Sequence, residues 1–191
     1  MDKNYSTVFN GIIEEGIKIR EAILEDKANI IAIGQRLADS INDGNKILIC
    51  GNGGSAADAQ HFAAEIIGRF ERERQAYPAI ALTTDTSILT AVANDYGYQT
   101  IFQRQVEGLG VKGDWLIGLS TSGNSANVMK AVEKAAQLEL NTLSLTGKEG
   151  GQLKASTNFN IHVPSFNTAR VQEGHITVLH ILADIVERGI I

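Results

Sequence analysis

Residues 46–65 read KILICGNGGSAADAQHFAAE, which predicts a strand, a glycine turn and the start of a helix in succession. It opens with a mainly apolar run, residues 46–50, of the kind that fills a strand buried on both faces of a parallel sheet. A glycine-rich turn at 51–54 ends the run, and Ser55 is predicted to cap a helix over residues 56–70. Glycines and a helix start both leave backbone N–H groups free for a ligand. The stretch therefore predicts a cradle for an anion.

Two side chains of the same predicted helix carry further chemistry. His61 and Glu65 are four residues apart, so both project from one helix face about a turn from each other. An imidazole and a carboxylate at this spacing suit a proton-transfer or metal site one to two turns beyond the cradle. A His–x₃–Glu pair on a helix is more often a surface pair, so this spacing is informative only together with the cradle.

The composition excludes several classes of protein. With 191 residues, 43% of them hydrophobic and 20% charged, the chain is expected to form one globular domain over residues 1–191. It lacks an apolar run of about 18 residues and a signal-peptide pattern, which argues against a membrane partner and against secretion. The single cysteine, Cys50, fits a reducing cytoplasm and is expected to be a core residue. The net charge of −5 argues against a nucleic-acid partner.

Hydrophobic periodicity predicts the rest of the fold. Two amphipathic helices, at 4–25 and 28–42, precede the first strand, and we expect this segment, residues 1–43, to serve oligomerisation. The charged residues at 69–74 are predicted to be solvated. Strands alternating with helices imply a three-layer α/β/α sandwich around a five-stranded parallel sheet. The four later strands are predicted at residues 78–82, 115–119, 142–145 and 159–163.

A second candidate cradle follows the predicted strand at 115–119. Ser120, Thr121, Ser122 and Ser125 place four hydroxyls around a glycine turn at the start of a helix. Hydroxyl donors, free backbone N–H groups and the helix dipole all favour a phosphate group there. Both cradles fall at carboxyl ends of neighbouring strands, where open α/β sheets bind ligands. Neither has the spacing of a dinucleotide fingerprint or a P-loop, so the sequence predicts a small phosphorylated ligand rather than a nucleotide.

The combination of motifs resembles the sugar isomerase (SIS) domain family. The resemblance rests on CGNGGSAADAQHFAAE at 50–65, on Asn94-Asp95, on LSTSGNSANV at 119–128, and on RVQEGH at 170–175 followed by His180. It covers essentially the whole chain and lies within the isomerases of heptose 7-phosphates. It implies a flavodoxin-like sheet, a homotetramer, and the cytoplasmic conversion of sedoheptulose 7-phosphate to a manno-heptose 7-phosphate. That reaction would be the first step of ADP-heptose synthesis for surface glycans such as lipopolysaccharide.

The resemblance also implies roles for individual residues. The substrate would contact residues of both cradles, the pair on the sugar, and two helix residues: Asn52, Gly53, Gly54, Ser55, Ser120, Thr121, Ser122, Ser125, Asn94, Asp95, Glu65 and Gln172. Glu65 and His180 would be the catalytic pair, which suits an isomerisation that moves one proton between carbons and another between oxygens. One zinc ion per subunit is implied, with four ligands: His61, Glu65, Gln172 and His180. His162 and His175 are interpreted as structural.

Two alternatives remain beside the heptose reaction. One is a non-catalytic SIS regulator of the initiator-associating type, which residues 79–82 and 89–91 resemble; that branch lacks the acid at position 65 and the histidine at position 180. The other is an isomerase of a different ketose phosphate.

A geometric expectation applies to the enzyme. Gln172 and His180 lie roughly 12 Å apart along one helix, too far to share one metal, so His180 is expected to come from a neighbouring chain.

Overall fold

Helices and strands alternate along most of the chain. The computed structural model describes residues 4–190; residues 1–3 and 191 of the predicted domain lie outside this described part. The α-helices are α1 (Tyr5–Glu25), α2 (Lys27–Asn42), α3 (Gly54–Ile67), α4 (Thr86–Tyr96), α5 (Ile101–Leu109), α6 (Ala126–Gln137), α7 (Leu153–Ser156) and α8 (Thr168–Gly189), with a short 3₁₀ helix at Tyr98–Thr100. The strands are β1 (Ile47–Gly51), β2 (Ala79–Ala81), β3 (Trp115–Ser120), β4 (Asn141–Thr146) and β5 (Phe159–His162).

The five strands form one parallel sheet in the order β2-β1-β3-β4-β5. β1 and β3 are neighbours, and Gly51 at the end of β1 pairs with Leu119 near the end of β3. Every residue of both strands is buried, as expected for central strands covered on both faces. Their carboxyl ends therefore deliver the two glycine-containing loops to the same edge of the sheet.

Two hydrophobic cores, one on each face, make the fold a three-layer α/β/α sandwich. On one face the sheet packs against α2, α3 and α8, with Ile33, Phe62 and Val178 among the buried side chains. On the other face α5 and α6 contribute Phe102 and Val128. The predicted α/β architecture is confirmed. Cys50 is fully buried, and burial raises the pKa of its thiol to about 12, which confirms it as a core residue.

Helix α1 buries only part of its apolar surface. Ile19 and Ile23 face the core, but the rest of its large apolar side chains are between 43% and 71% exposed. These exposed side chains recur at helical spacing along the helix: Tyr5, Val8, Phe9, Ile12, Ile13, Ile17 and Leu24. No helix within residues 4–190 is both long enough and apolar enough to cross a membrane.

Three local predictions were wrong. Helix α3 begins at Gly54 with Gly53 as its N-cap, so Ser55 lies buried inside the first turn and is not the cap. Gly53 has a φ of +58°, a conformation that glycine adopts without the steric cost of a side chain. The same helix ends at Ile67, three residues early, because Gly68 breaks it. The segment 69–74 is not uniformly solvated, since the Arg74 side chain is only 8% exposed.

Candidate active site

The two glycine-containing loops meet in one cavity of about 270 Å³. Its walls come from the start of α3, the end of β3, the loop before α6, and the first turns of α8. The lining residues are Asn52, Gly53, Gly54, Ser55, Leu119, Ser120, Thr121, Ser125, Thr168 and Gln172. The structure therefore brings together seven residues of the two predicted cradles, with Gln172 beside them and Thr168 as an addition that the sequence did not suggest.

Hydroxyl groups cluster on the β3–α6 side of this cavity. The Ser120 Oγ lies 2.8 Å from the Ser125 Oγ and 3.4 Å from the Ser122 Oγ, and the Ser120 side chain is buried. Ser125 is the N-cap of α6, but its hydroxyl does not cap the helix. The first N–H groups of α6 therefore remain available beside the hydroxyls, an arrangement that favours an anion.

The α3 side of the cavity depends on the absence of a side chain at Gly54. A Cβ at this position would collide with the carboxamide of Gln172. Glycine thus lets Gln172, in the second turn of α8, lie directly against the start of α3. Gln172 is placed at the hydroxyl end of the site, with a carboxamide that both donates and accepts hydrogen bonds.

A hydrogen-bond network joins the two loops. Asn52 and Asn127 exchange two amide hydrogen bonds, of 2.9 and 2.8 Å, between the β1–α3 loop and the first turn of α6. The Tyr98 hydroxyl donates to the Asn52 Oδ1 at 2.9 Å. Because Asn127 is buried, this pair fixes the position of the β1–α3 loop relative to the start of α6. Asn127 and Tyr98 were not predicted from the sequence, although Asn127 lies within the LSTSGNSANV motif.

Further along α3 and α8, a second group of side chains forms a cluster: His61, Glu65 and His180. The His61 Nε2 lies 3.0 Å from a Glu65 carboxylate oxygen and 3.4 Å from the His180 Nε2. One potential ligand atom from each of the three residues lies within 4.8 Å of the others. Two imidazole nitrogens and a carboxylate oxygen are a donor set that suits zinc.

The expectation that His180 comes from a neighbouring chain is wrong. α8 crosses α3 so that His180 reaches His61 and Glu65 within one chain. Gln172 is the residue that lies apart, because α8 is continuous from Thr168 to Gly189 and its first turn is at the cavity. Three of the four residues implied as metal ligands therefore form the cluster. The fourth, Gln172, lines the cavity between the two glycine-containing loops.

The remaining predicted residues lie outside both groups. Asn94 and Asp95 are exposed at the end of α4, where the Asn94 amide donates to the Asp95 carboxylate at 2.8 Å, and neither lines the cavity. His175 is completely buried, and burial lowers its pKa to about 4. His162 contacts the Lys148 carbonyl oxygen at 2.8 Å.

Asp58 is a further residue of this region that was not predicted from the sequence. It lies one turn before His61 on α3, and its Oδ2 atom is buried with no hydrogen-bond partner among residues 4–190. Burial raises the pKa of Asp58, although nearby His61 acts in the opposite direction. The i, i+3 spacing of Asp58 and His61 was the available signal.

Comparisons with known proteins identify the family and relatives of this chain. Residues 13–147 match the SIS domain family. A phosphoheptose isomerase of Trichlorobacter lovleyi is 57% identical over 163 residues, which are 85% of this chain and 83% of the relative. The solved phosphoheptose isomerase of Neisseria gonorrhoeae superposes with a TM-score of 0.91 at 41% identity, covering 97% of this chain and all of that one. The enzyme from Francisella tularensis gives 0.93 at 38% identity, with 97% and 99% covered.

Proposed function

This chain belongs to the SIS domain family, and we propose that it is an aldose–ketose isomerase that converts D-sedoheptulose 7-phosphate to D-glycero-D-manno-heptose 7-phosphate. The observation that carries the proposal is the pairing of a hydroxyl-lined cavity with a His–Glu–His cluster along the same two helices. The cavity suits the phosphate, and the cluster suits the carbonyl end of an open sugar chain.

The separation of the two groups suits the length of this substrate. Gly54 and His61 are seven residues apart on α3, which is about 10 Å at 1.5 Å per residue. An open seven-carbon chain with a terminal phosphate also spans about 10 Å, at roughly 1.2 Å per bond. With its phosphate at Ser120 and Gln172, the substrate places carbons 1 and 2 beside the cluster.

The chemistry moves two protons. Glu65 removes a proton from carbon 1 of the ketose and returns it to carbon 2, through an enediolate. His180 transfers the proton that leaves oxygen 1 to oxygen 2, so the reaction is balanced without a further reactant. The hydrogen-bond contact between His61 and Glu65 holds the carboxylate in place, and the Glu65 side chain is 23% exposed, so the substrate can reach it.

We assign the cluster as a zinc site held by one ligand atom each of His61, Glu65 and His180, on the basis of its donor set. The second carboxylate oxygen of Glu65 and the second ring nitrogen of His180 would then carry out the proton transfers. When bound, the ion would polarise the substrate carbonyl and stabilise negative charge on the enediolate oxygens. Gln172 is assigned to the substrate end. A Gln172 that also binds this ion would belong to a neighbouring copy, because about 12 Å of α8 separates it from His180 of its own chain.

We further propose that residues 1–191 act as one domain and assemble into a homotetramer through residues 1–43. The exposed apolar face of α1 supports this assembly, because monomeric proteins seldom leave such a continuous face in water. Asn94 and Asp95 are assigned to the sugar from the family resemblance alone, since they lie outside the cavity and the cluster of the single chain. The enzyme would work in the cytoplasm and supply ADP-heptose synthesis.

Turnover of a defined substrate tests the proposal. The protein is incubated with sedoheptulose 7-phosphate and Zn²⁺, and the aldose product is followed by NMR, with fructose 6-phosphate as the competing ketose phosphate. We expect the heptose to be converted and the hexose to be a poor substrate. Binding of the heptose without turnover would favour the SIS regulator instead, and faster conversion of the hexose would favour another isomerase.

A further inference from the structure

A buried carboxylate two turns beyond His180 on α8 has no role in the chemistry above. The side chain of Glu187 is 1% exposed, although it lies near the end of the helix. A charged carboxylate that is taken out of water is costly unless it is paired and hydrogen-bonded. The contacts of Glu187 therefore show what the chain gains from keeping it.

Four donors from a single loop saturate the Glu187 carboxylate. Its Oε1 accepts hydrogen bonds from the Phe70 N–H at 3.0 Å and from the Arg74 Nε at 3.1 Å. Its Oε2 accepts from the N–H groups of Glu71 and Arg72, at 2.9 and 2.8 Å. Burial raises the pKa of Glu187, but these hydrogen bonds outweigh burial and hold it below the usual range. Glu187 is therefore charged at neutral pH, and the loop after α3 is fastened to α8.

The same loop also contacts the backbone of Glu65 on α3 and the side chain of His180 on α8. The Arg74 Nη2 donates to the backbone carbonyl oxygen of Glu65 at 2.8 Å, so one guanidinium links Glu187 on α8 to α3 at the position of the base. The Phe70 ring packs beside the His180 imidazole, with 5.6 Å between ring centres. Arg74 thus contacts one member of the proposed catalytic pair, and Phe70 contacts the other.

We propose that Glu187 and Arg74 are positioning residues that set the geometry of His180 against Glu65. α3 and α8 are separate elements, and the cluster is formed only while they keep their spacing. The Glu187–Arg74 ion pair, anchored on the Glu65 carbonyl, holds this spacing, and the fastened loop holds Phe70 on the imidazole. This inference rests on the catalytic roles given to Glu65 and His180 in the proposed function.

Two variants and one matched control separate positioning from stability. Glu187→Gln keeps the shape but turns an N–H₂ group towards donors of the loop. Arg74→Lys keeps a cation beside Glu187 but loses the fork that reaches Glu187 and the Glu65 carbonyl together. Glu73→Gln is the control, because Glu73 lies in the same loop with a side chain that is 93% exposed.

Steady-state kinetics per folded molecule are measured with Zn²⁺ present, and the imidazole resonances of His61 and His180 are recorded by NMR on metal-free protein. In both variants we expect kcat to fall by about 10- to 100-fold, the range seen when groups that orient metal ligands are removed. KM should stay near the wild-type value, because the phosphate loops lie at the other end of the site. The imidazole resonances should shift in both variants and not in Glu73→Gln.

The inference is overturned if folded Glu187→Gln and Arg74→Lys keep the wild-type kcat and imidazole resonances, even where their melting temperatures fall. If Glu187→Gln does not fold, Arg74→Lys decides alone, since the lysine ammonium still balances the charge of the buried Glu187 carboxylate. If wild-type protein fails to turn over the heptose phosphate, the proposed function is wrong, and the imidazole resonances of the metal-free variants still support or overturn the positioning role.

Discussion

The His180 Nε2 lies 3.4 Å from the His61 Nε2 across the contact between α8 and α3 of one chain. Glu65 joins them through its 3.0 Å contact with His61. The carboxylate and both imidazoles of the site therefore come from a single polypeptide. A second chain is not needed to bring the proposed base and acid together.

Subunit mixing should not rescue two complementary inactive variants. Glu65→Gln and His180→Ala each remove one member of the same cluster, so a hybrid assembly contains no chain with both groups. We expect the mixture to remain inactive after subunit exchange. Exchange is verified with a tagged chain, and a wild-type and variant mixture serves as the control that assembly does not inactivate intact chains. Recovery of activity would mean that Glu65 and His180 act from different chains.

The hydroxyl cluster gives a second prediction. Replacing Ser120 and Ser122 together by Ala removes two donors next to the start of α6. This double variant should bind the sugar phosphate about 10-fold more weakly or worse, because each hydrogen bond to a charged group contributes about 1.5–3 kcal/mol. Calorimetric titration of the sugar phosphate measures the change. Ser87→Ala, on exposed α4, is the control. An unchanged affinity in the double variant would exclude this loop as the phosphate site.

The buried His175 should make stability depend on pH. Its pKa of about 4 in the folded chain lies below the usual value of 6.5, so the unfolded chain binds a proton first as the pH falls. The full stability is therefore present above about pH 6.5 and is lost towards pH 4. Between pH 7 and 4.5 the loss attributable to this group is about 2–3 kcal/mol, at 1.36 kcal/mol per pKa unit.

Denaturant titrations of wild type and His175→Leu at the two pH values measure this loss. Leucine fills similar space and does not titrate, so the variant should lose less stability on acidification. Equal pH dependence of wild type and His175→Leu would show that the histidine does not control acid stability.

Local chemistry was sufficient to predict most of the fold. Short apolar runs located the ends of all five strands to within one residue. The first, predicted at 46–50, is Ile47–Gly51. The hydroxyls after the third strand were also found, because strand order in a parallel sheet places such loops at one edge. Ser55 was misassigned as a cap because Gly53 adopts a positive φ, which a cap preference does not reveal.

Contacts between distant elements could not be predicted in the same way. The helix rise correctly separated Gln172 from His180, but only the crossing of α3 and α8 shows that His180 is the residue within reach of Glu65. Arg74 belongs to a charged segment that is typical of solvated surface, and its partner Glu187 is 113 residues away. Long-range pairs of this kind leave no periodic pattern in a single sequence.

Solvent exchange at carbon 1 of the substrate reports the proton transfer that is assigned to Glu65. Sedoheptulose 7-phosphate is incubated in D₂O with wild type, with Glu65→Gln, and with Glu133→Gln, an exposed residue of α6, as control. NMR then follows deuterium at carbon 1. We predict exchange with wild type and the control, and its loss in Glu65→Gln that still folds and binds the sugar phosphate. Exchange at the wild-type rate in Glu65→Gln would contradict the assignment.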